Sequence, residues 1–381
     1  MKKTFAIIWA ASITSSPLIA DSMKSPAAMV TDHGSHHLFT DNPALPDPDQ
    51  FALGYLQVTK QRKTEGTLVM DTQEPTFVNK LKETDHGLAA IIPMGGGAAI
   101  GLGAEMMSRD IESQLSTASD TELEKFRDKS VSLRFVVKLV DKIRAGLGIH
   151  YKTIDSDIAG RFFTSDDEYV SYKGSMTGYR AGIFYMDGPL GFGFAYIAPL
   201  RGKADLDQEK IIVGEGGWMN LDLSYGKEND WRWGIAAKRW LHKRDDRAAD
   251  YTLPVTEREV KLNGLDFEQF VLPTLQYGVG IDSPKTNDFY GRLHITKTTY
   301  SFLGDPDSVP GDDKEQETEI TAYAAKVSAV FNPSDFSIQL GYAYEQKEKD
   351  LIDDNFFRFA GEYKDYKSVD KTLFATFNYS H

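Results

Sequence analysis

From residue 50 onward, apolar residues recur at every second position in short runs separated by turn formers. The plainest case is 130–153. Val131, Leu133, Phe135, Val137 and Leu139 alternate with Ser132, Arg134 and Lys138. After Val140-Asp141-Lys142, Ile143, Ala145, Leu147, Ile149 and Tyr151 alternate with Arg144, Gly146, Gly148, His150 and Lys152. Successive strand side chains point to opposite faces. The pattern therefore predicts two antiparallel strands of about ten residues, apolar on one face and charged or glycine-rich on the other.

The same rhythm repeats. Phe51–Val58 is the first strand. Leu88–Pro93 and Ala98–Met107 flank Gly95-Gly96-Gly97, and Tyr179–Met186 and Phe192–Ala198 flank Asp187-Gly188-Pro189. Trp218–Tyr225 pairs with Trp231–Trp240, and Leu272–Ile281 with Phe289–Tyr300. Ile320–Phe331 pairs with Phe336–Tyr344 across Asn332-Pro333-Ser334-Asp335. Gly, Pro, Asn and Asp at these joins are turn chemistry. Longer polar stretches at 108–128, 154–172, 200–212, 241–264, 302–317 and 346–366 read as loops. The expectation is one all-β domain of about fourteen strands, with tight turns at one end and long loops at the other, the asymmetry of an up-and-down transmembrane barrel.

A soluble sandwich would bury the apolar face, and a membrane barrel would turn it to lipid. The N-terminus separates the two. Lys2 and Lys3 precede the apolar run Phe5–Ala11, and Ser15-Ser16-Pro17 leads to Ala20. That is the form of a secretory signal cut after Ala20, so residues 1–20 are expected to be a leader. No later run is apolar for the eighteen or so residues a spanning helix needs. An exported chain that enters a membrane without such a helix does so as a closed barrel. Cysteine is absent, and Phe (22), Tyr (18) and Trp (5) are plentiful enough for aromatic girdles. The net charge of −13 argues against nucleic acid or anionic lipid as a partner.

The chemistry-bearing residues are few. Asp32-His33-Gly34-Ser35-His36-His37 reads as a solvated turn, because histidine ligands need fixed geometry and a second shell. The acidic runs at 165–168 and 312–317 lack the ligand alternation of a calcium loop. No nucleophile elbow or His-Glu-x-x-His pair occurs, and His150 and His294 have no assignable serine partner. No metal, cofactor or catalytic residue is expected. With odd positions of 131–151 facing lipid, Arg134, Lys138, Arg144, His150 and Lys152 face the lumen. They would serve there in a salt-bridge ladder with acids such as Asp222, or as counter-charge to an anionic ligand.

The two ends of the chain resemble the FadL-type family of outer-membrane channels for hydrophobic compounds. Asp41-Asn42-Pro43-Ala44-Leu45 before Phe51-Ala52-Leu53-Gly54 is similar to that family's NPA signature. Leu272-Pro273 before Gly278, Asn332–Asp335, and the ending Phe377-Asn378-Tyr379 are similar to further family features. His381 stands last, where such barrels usually end in an aromatic residue. The resemblance implies a fourteen-stranded barrel with an N-terminal hatch, here residues 21–49 before a barrel of 50–381. It implies Asn42, Pro43 and Ala44 as the hatch segment, and passive passage of long-chain fatty acids or aromatic hydrocarbons. Met29, Val30, Leu38 and Phe39 are the apolar hatch residues expected to contact such a ligand. Outer-membrane lipid, and the insertion machinery acting on the C-terminal strand, are the other expected partners, in a Gram-negative outer membrane. A polar-solute porin, a barrel displaying acidic adhesive loops, and a soluble exported β-protein are the alternatives.

Overall fold

The computed structural model describes residues 39, 42–69, 74, 76–116, 122–159, 169–206, 209–227, 229–241, 252–253, 260–261, 271–303, 317–333, 335–353 and 362–381. Fourteen antiparallel strands form one closed sheet. They are β1 (Ala52–Val69), β2 (Thr76–Gly95), β3 (Ala98–Leu115), β4 (Glu122–Val140), β5 (Ile143–Ala159) and β6 (Tyr169–Asp187). Two strands follow in two pieces each: β7 (Leu190–Ile197 and Leu200–Leu206) and β8 (Glu209–Glu215 and Gly217–Tyr225). The rest are β9 (Arg232–Leu241), β10 (Val271–Asp282), β11 (Phe289–Leu303), β12 (Glu317–Phe331), β13 (Phe336–Asp353) and β14 (Glu362–Ser380). A two-residue pair, Thr252–Leu253 with Val260–Lys261, stands outside this sheet.

Each strand pairs with its sequence neighbours, and β14 pairs with β1 from Ala52↔Ser380 upward. Phe51 and His381 exchange main-chain hydrogen bonds of 3.1 and 3.0 Å. Closure leaves no strand edge, which a lipid environment would penalise at every unpaired N–H and C=O. The turns 96–97, 141–142, 188–189, 226–231, 283–288 and 332–335 all lie at one end. Gly95, Gly96 and Gly97 have φ of 84°, 64° and 75°. That left-handed region is open to glycine and costly to most side chains, so this run can reverse the chain tightly.

The outer face is apolar in a belt near the turn end. Phe377, Tyr55, Leu88, Ala104, Val131 and Tyr151 are successive cross-strand partners. Leu53, Leu102, Leu133 and Ile149 lie in the next row toward the turns and are exposed. On each strand the belt covers about eight residues, about 25 Å along the strand, and so about 20 Å of height once the strands tilt as they do in such barrels. No described helix is long and apolar enough to cross a membrane; the strands supply the lipid-facing surface.

The structure corrects the reading of the polar stretches. β3 and β4 leave only 116–121 between them, the second piece of β7 and the first of β8 leave only 207–208, and β13 and β14 leave 354–361. The strands are 17 to 20 residues long in β1 to β6, about twice the expected length. Beyond the belt, outward positions become charged (Lys63, Lys80, Lys82, Lys125, Arg127), while the ladder keeps pairing. With both faces polar, the alternation that marks a strand vanishes from the sequence.

Inside, residues of the opposite phase are enclosed. Near the turns they form an apolar cluster of Phe39, Ala52, Leu56, Val58, Ala89, Ile91, Ala99 and Phe374. Farther up they are ionic. Asp370 accepts hydrogen bonds from Arg62 Nε at 2.5 Å and Nη2 at 2.7 Å, and Lys60 lies 3.4 Å away. Tyr300 donates to Glu345 at 2.9 Å, and Lys347 pairs with the same carboxylate at 3.2 Å. At the turn end, Arg232 and Arg292 both bind the buried Asp282. Buried charges persist when paired and hydrogen-bonded, and these pairs tie neighbouring strands along the enclosed face, β1 to β14 at the closure among them.

Candidate functional site

Ahead of β1, residues 42–45 lie inside the barrel. Asn42, Ala44 and Leu45 are at most 1% exposed. The Asn42 Oδ1 accepts the Ala44 N–H at 2.9 Å, and the Leu45 N–H reaches the Asn42 carbonyl at 3.3 Å, so the residue closes its own turn. Pro43, at the second position of that turn, has its φ preset by the ring. The Asn42 amide then donates to the main-chain carbonyl of Ile183 in β6, at 3.2 Å.

The wall beneath is built of residues without side-chain bulk. Gly146 of β5 pairs with Gly182 of β6, and Gly182 with Ala195 of β7. A Cβ on Gly146 would collide with the Pro43 carbonyl, and one on Gly182 with Asn42 Oδ1. At Gly193 a Cβ would stand 3.3 Å from both the Asn42 amide and the Asp222 carboxylate. These glycines sit on the polar phase of their strands, where they make a seat for the Asn42-Pro43 turn. Arg144 clamps its far side. Nη1 donates to the Leu45 carbonyl at 2.9 Å, Nη2 pairs with Asp47 at 3.3 Å, and the guanidinium lies 5.8 Å from the Phe184 ring. Leu45 and Ala44 pack on Phe184, with Met186 beside them. Phe39 fills the apolar cluster, with its ring against Gly87, where a Cβ would be 2.9 Å away.

Close to this seat the wall is irregular. Between the two pieces of β7, Ala198-Pro199 interrupts the pairing with β6, and the register slips by one residue between Arg180↔Ile197 and Thr177↔Arg201. Proline has no N–H to give the ladder and is tolerated at a bulge. Gly178 lies opposite, with Leu200 Cδ2 2.7 Å from where its Cβ would be. Gly217 of β8 likewise packs on Pro199. Inward from this point, Ile197, Trp218 and Trp240 are successive cross-strand partners. Lys238 stands over both indoles, 4.2 and 4.7 Å from their centroids. Pro273, Tyr300 and Ile320 continue an apolar lining on β10 to β12.

No family model and no curated protein matches the sequence. Solved structures do. A FadL homologue from Pseudomonas aeruginosa aligns over 93% of this chain and 98% of its own, at 13% identity and a TM-score of 0.57. The CymD monoaromatic hydrocarbon channel aligns over 94% and 97%, at 11% identity and 0.57. The Ralstonia pickettii toluene transporter TbuX aligns over 93% and 97%, at 10% identity and 0.54. The chain has the FadL-type barrel fold.

Within that fold, the residues singled out in sequence are distributed as follows. Asn42, Pro43, Ala44 and Phe39 meet at the seat and the apolar cluster; Met29, Val30 and Leu38 lie outside the described residues, as do His33, His36 and His37. Arg144 holds the hatch segment. Lys138 is half-exposed near the turn end, 3.8 Å from Asp49 and 3.6 Å from Asp141. Lys152 pairs with Asp128 at 2.9 Å, and His150 lies 3.0 Å from Arg180 Nη2. Arg134 is buried against Gly101. The five residues thus have separate surroundings along β4 and β5 and do not converge on one point. Among the described residues no group of acids and histidines could hold a metal. Sequence reasoning missed Trp218 and Trp240. Their signal was phase: both fall on the polar positions of their strands, with Asn220, Asp222 and Lys238, where an aromatic residue has no lipid to face.

Proposed function

We propose that this chain is an outer-membrane channel of a Gram-negative bacterium for passive uptake of hydrophobic small molecules. The observation that carries the reading is the hatch tip, Asn42–Leu45, buried on a glycine seat beside the Pro199 bulge. A polar-solute porin needs a water-filled bore; here apolar and ionic side chains and the hatch segment occupy the enclosed face. The apolar patches at Phe39 and at Ile197-Trp218-Trp240 offer successive contacts to a greasy solute, and mostly apolar linings with few polar groups suit such ligands. The structural relatives named above are described as a FadL homologue, a monoaromatic hydrocarbon channel and a toluene transporter, so fatty acids and monoaromatic hydrocarbons are the substrate classes to try first.

In this reading residues 1–20 are removed on export, residues 21–49 form the hatch, and the termini face the periplasm. The insertion machinery reads the strand ending Phe377-Asn378-Tyr379. The chain needs no cofactor and performs no catalysis. Ion conductance across planar bilayers tests the plugged bore. The expected record shows no sustained open-channel current; a steady, large conductance typical of a water-filled pore would replace this reading with the porin.

A further inference from the structure

Outside the barrel, lysines and arginines gather at the loop-side margin of the apolar belt on β14 to β4. Lys371 of β14, Gln61 of β1 and Lys82 of β2 are successive partners in one row. In the next row Lys63 and Lys80 face each other directly, 57% and 58% exposed. Across β3 the same margin continues as Lys125, Arg127 and Lys129, all exposed on β4. The carboxylates among them are Glu65, Asp110 and Glu112. Glu65 is 2.5 Å from Lys63 and Glu112 3.2 Å from Lys80, and Asp110 is the cross-strand partner of both Lys82 and Lys125. On the far side of β4, Asp157 and Asp155 of β5 stand opposite Lys125 and Arg127, so seven cations meet five acids, a surplus of positive charge on a chain whose net charge is −13. Like charges directly opposite across a ladder are unfavourable, so the patch gains from an added anion. On β9 to β12 the corresponding margin carries Tyr277 and Tyr323 with Arg239 and Lys297.

Below Lys371, Lys82 and Lys125, Thr59, Thr84 and Ser108 form one row of small hydroxyls on β1 to β3 that ends at Arg127 on β4. Anionic phosphate above, hydroxyls at a sugar's height, and acyl chains along Leu88, Leu102 and Val131 below would complement this sequence of surfaces. We propose that β14 to β4 bind a phosphorylated glycolipid of the outer leaflet, the lipid A class, through its phosphates. The inference rests on the outer-membrane reading above. Basic clusters beside a membrane recognise anionic headgroups with about 1 kcal/mol per lysine or arginine.

The test is native mass spectrometry of the full mature chain in detergent, offered diphosphorylated lipid A, its dephosphorylated form, or phosphatidylglycerol. The expected result is retention of diphosphorylated lipid A at energies that strip detergent, with apparent affinity about a hundredfold weaker for the dephosphorylated form. The triple variant Lys82→Gln, Arg127→Gln, Lys371→Gln should lose about as much, and Lys82→Arg with Lys371→Arg should keep it. The far-side pair Arg239→Gln, Lys297→Gln should bind as the unaltered chain does. Equal retention of all three lipids, or an equal loss from the far-side variant, would overturn the proposal. Heat-modifiable gel mobility of the same samples keeps the two readings apart. A chain that shows it but ignores the phosphates refutes this inference alone, and a chain without it refutes the barrel reading.

Discussion

The Asn42 side chain donates to the main-chain carbonyl of Ile183, 141 residues away in sequence, at 3.2 Å, while its Oδ1 accepts the Ala44 N–H at 2.9 Å. One side chain thus both shapes the hatch turn and fastens it to the wall. The amide does both jobs because it carries donors and an acceptor on one planar group.

Asn42→Asp keeps the acceptor, loses the donor and sets a second carboxylate near Asp222 in a buried place. Burying an unpaired charge is the costlier change, so Asn42→Asp should open the bore more than Asn42→Ala. Single-channel recording should show frequent openings in the first, fewer in the second, and a quiet baseline in the unaltered chain.

Gly182→Val tests the seat itself. Its Cβ would take the place of Asn42 Oδ1, and the hatch tip would have to lift. The expected outcome is a raised open probability and faster proteolysis within 39–50, with the barrel's heat-modifiable mobility unchanged.

Arg144→Gln removes a charge-assisted hydrogen bond to the Leu45 carbonyl and the pair with Asp47, a contact class worth about 1.5–3 kcal/mol. Spin labels at Asp49 should report a more mobile hatch, and the barrel's unfolding midpoint should move little, because β5 keeps its ladder.

Asp370→Ala acts on the wall. It strips Arg62 and Lys60 of their shared carboxylate in a site where Asp370 is 1% exposed. Removing one member of a buried ionic group costs about 3–5 kcal/mol. The urea unfolding midpoint in detergent should fall by that equivalent, with Asp370→Glu recovering part of the loss.

Much of the barrel was legible in the chain because lipid writes a clear pattern. Val131 to Leu139 and Ile143 to Tyr151 alternate without a break, and the turns carry Gly, Pro, Asn and Asp. The upper halves of the strands were not legible, since Lys80, Lys82, Lys125 and Arg127 put charge on both faces and erase the period. The hatch tip was accessible only through Asn42-Pro43-Ala44. Its seat was not, because Gly146, Gly182 and Gly193 come together through strand register, which periodicity alone does not give. Arg144 was singled out as a lumen cation, and its partner proved to be the hatch segment.

The most direct test of the central claim is the initial rate of uptake of radiolabelled oleate and toluene by cells lacking their own channels for such compounds. Cells expressing this chain should take up one of these hydrophobic compounds several-fold faster than cells with an empty vector, with no gain for a small sugar. Faster sugar uptake with no gain for either hydrophobic compound would contradict the account.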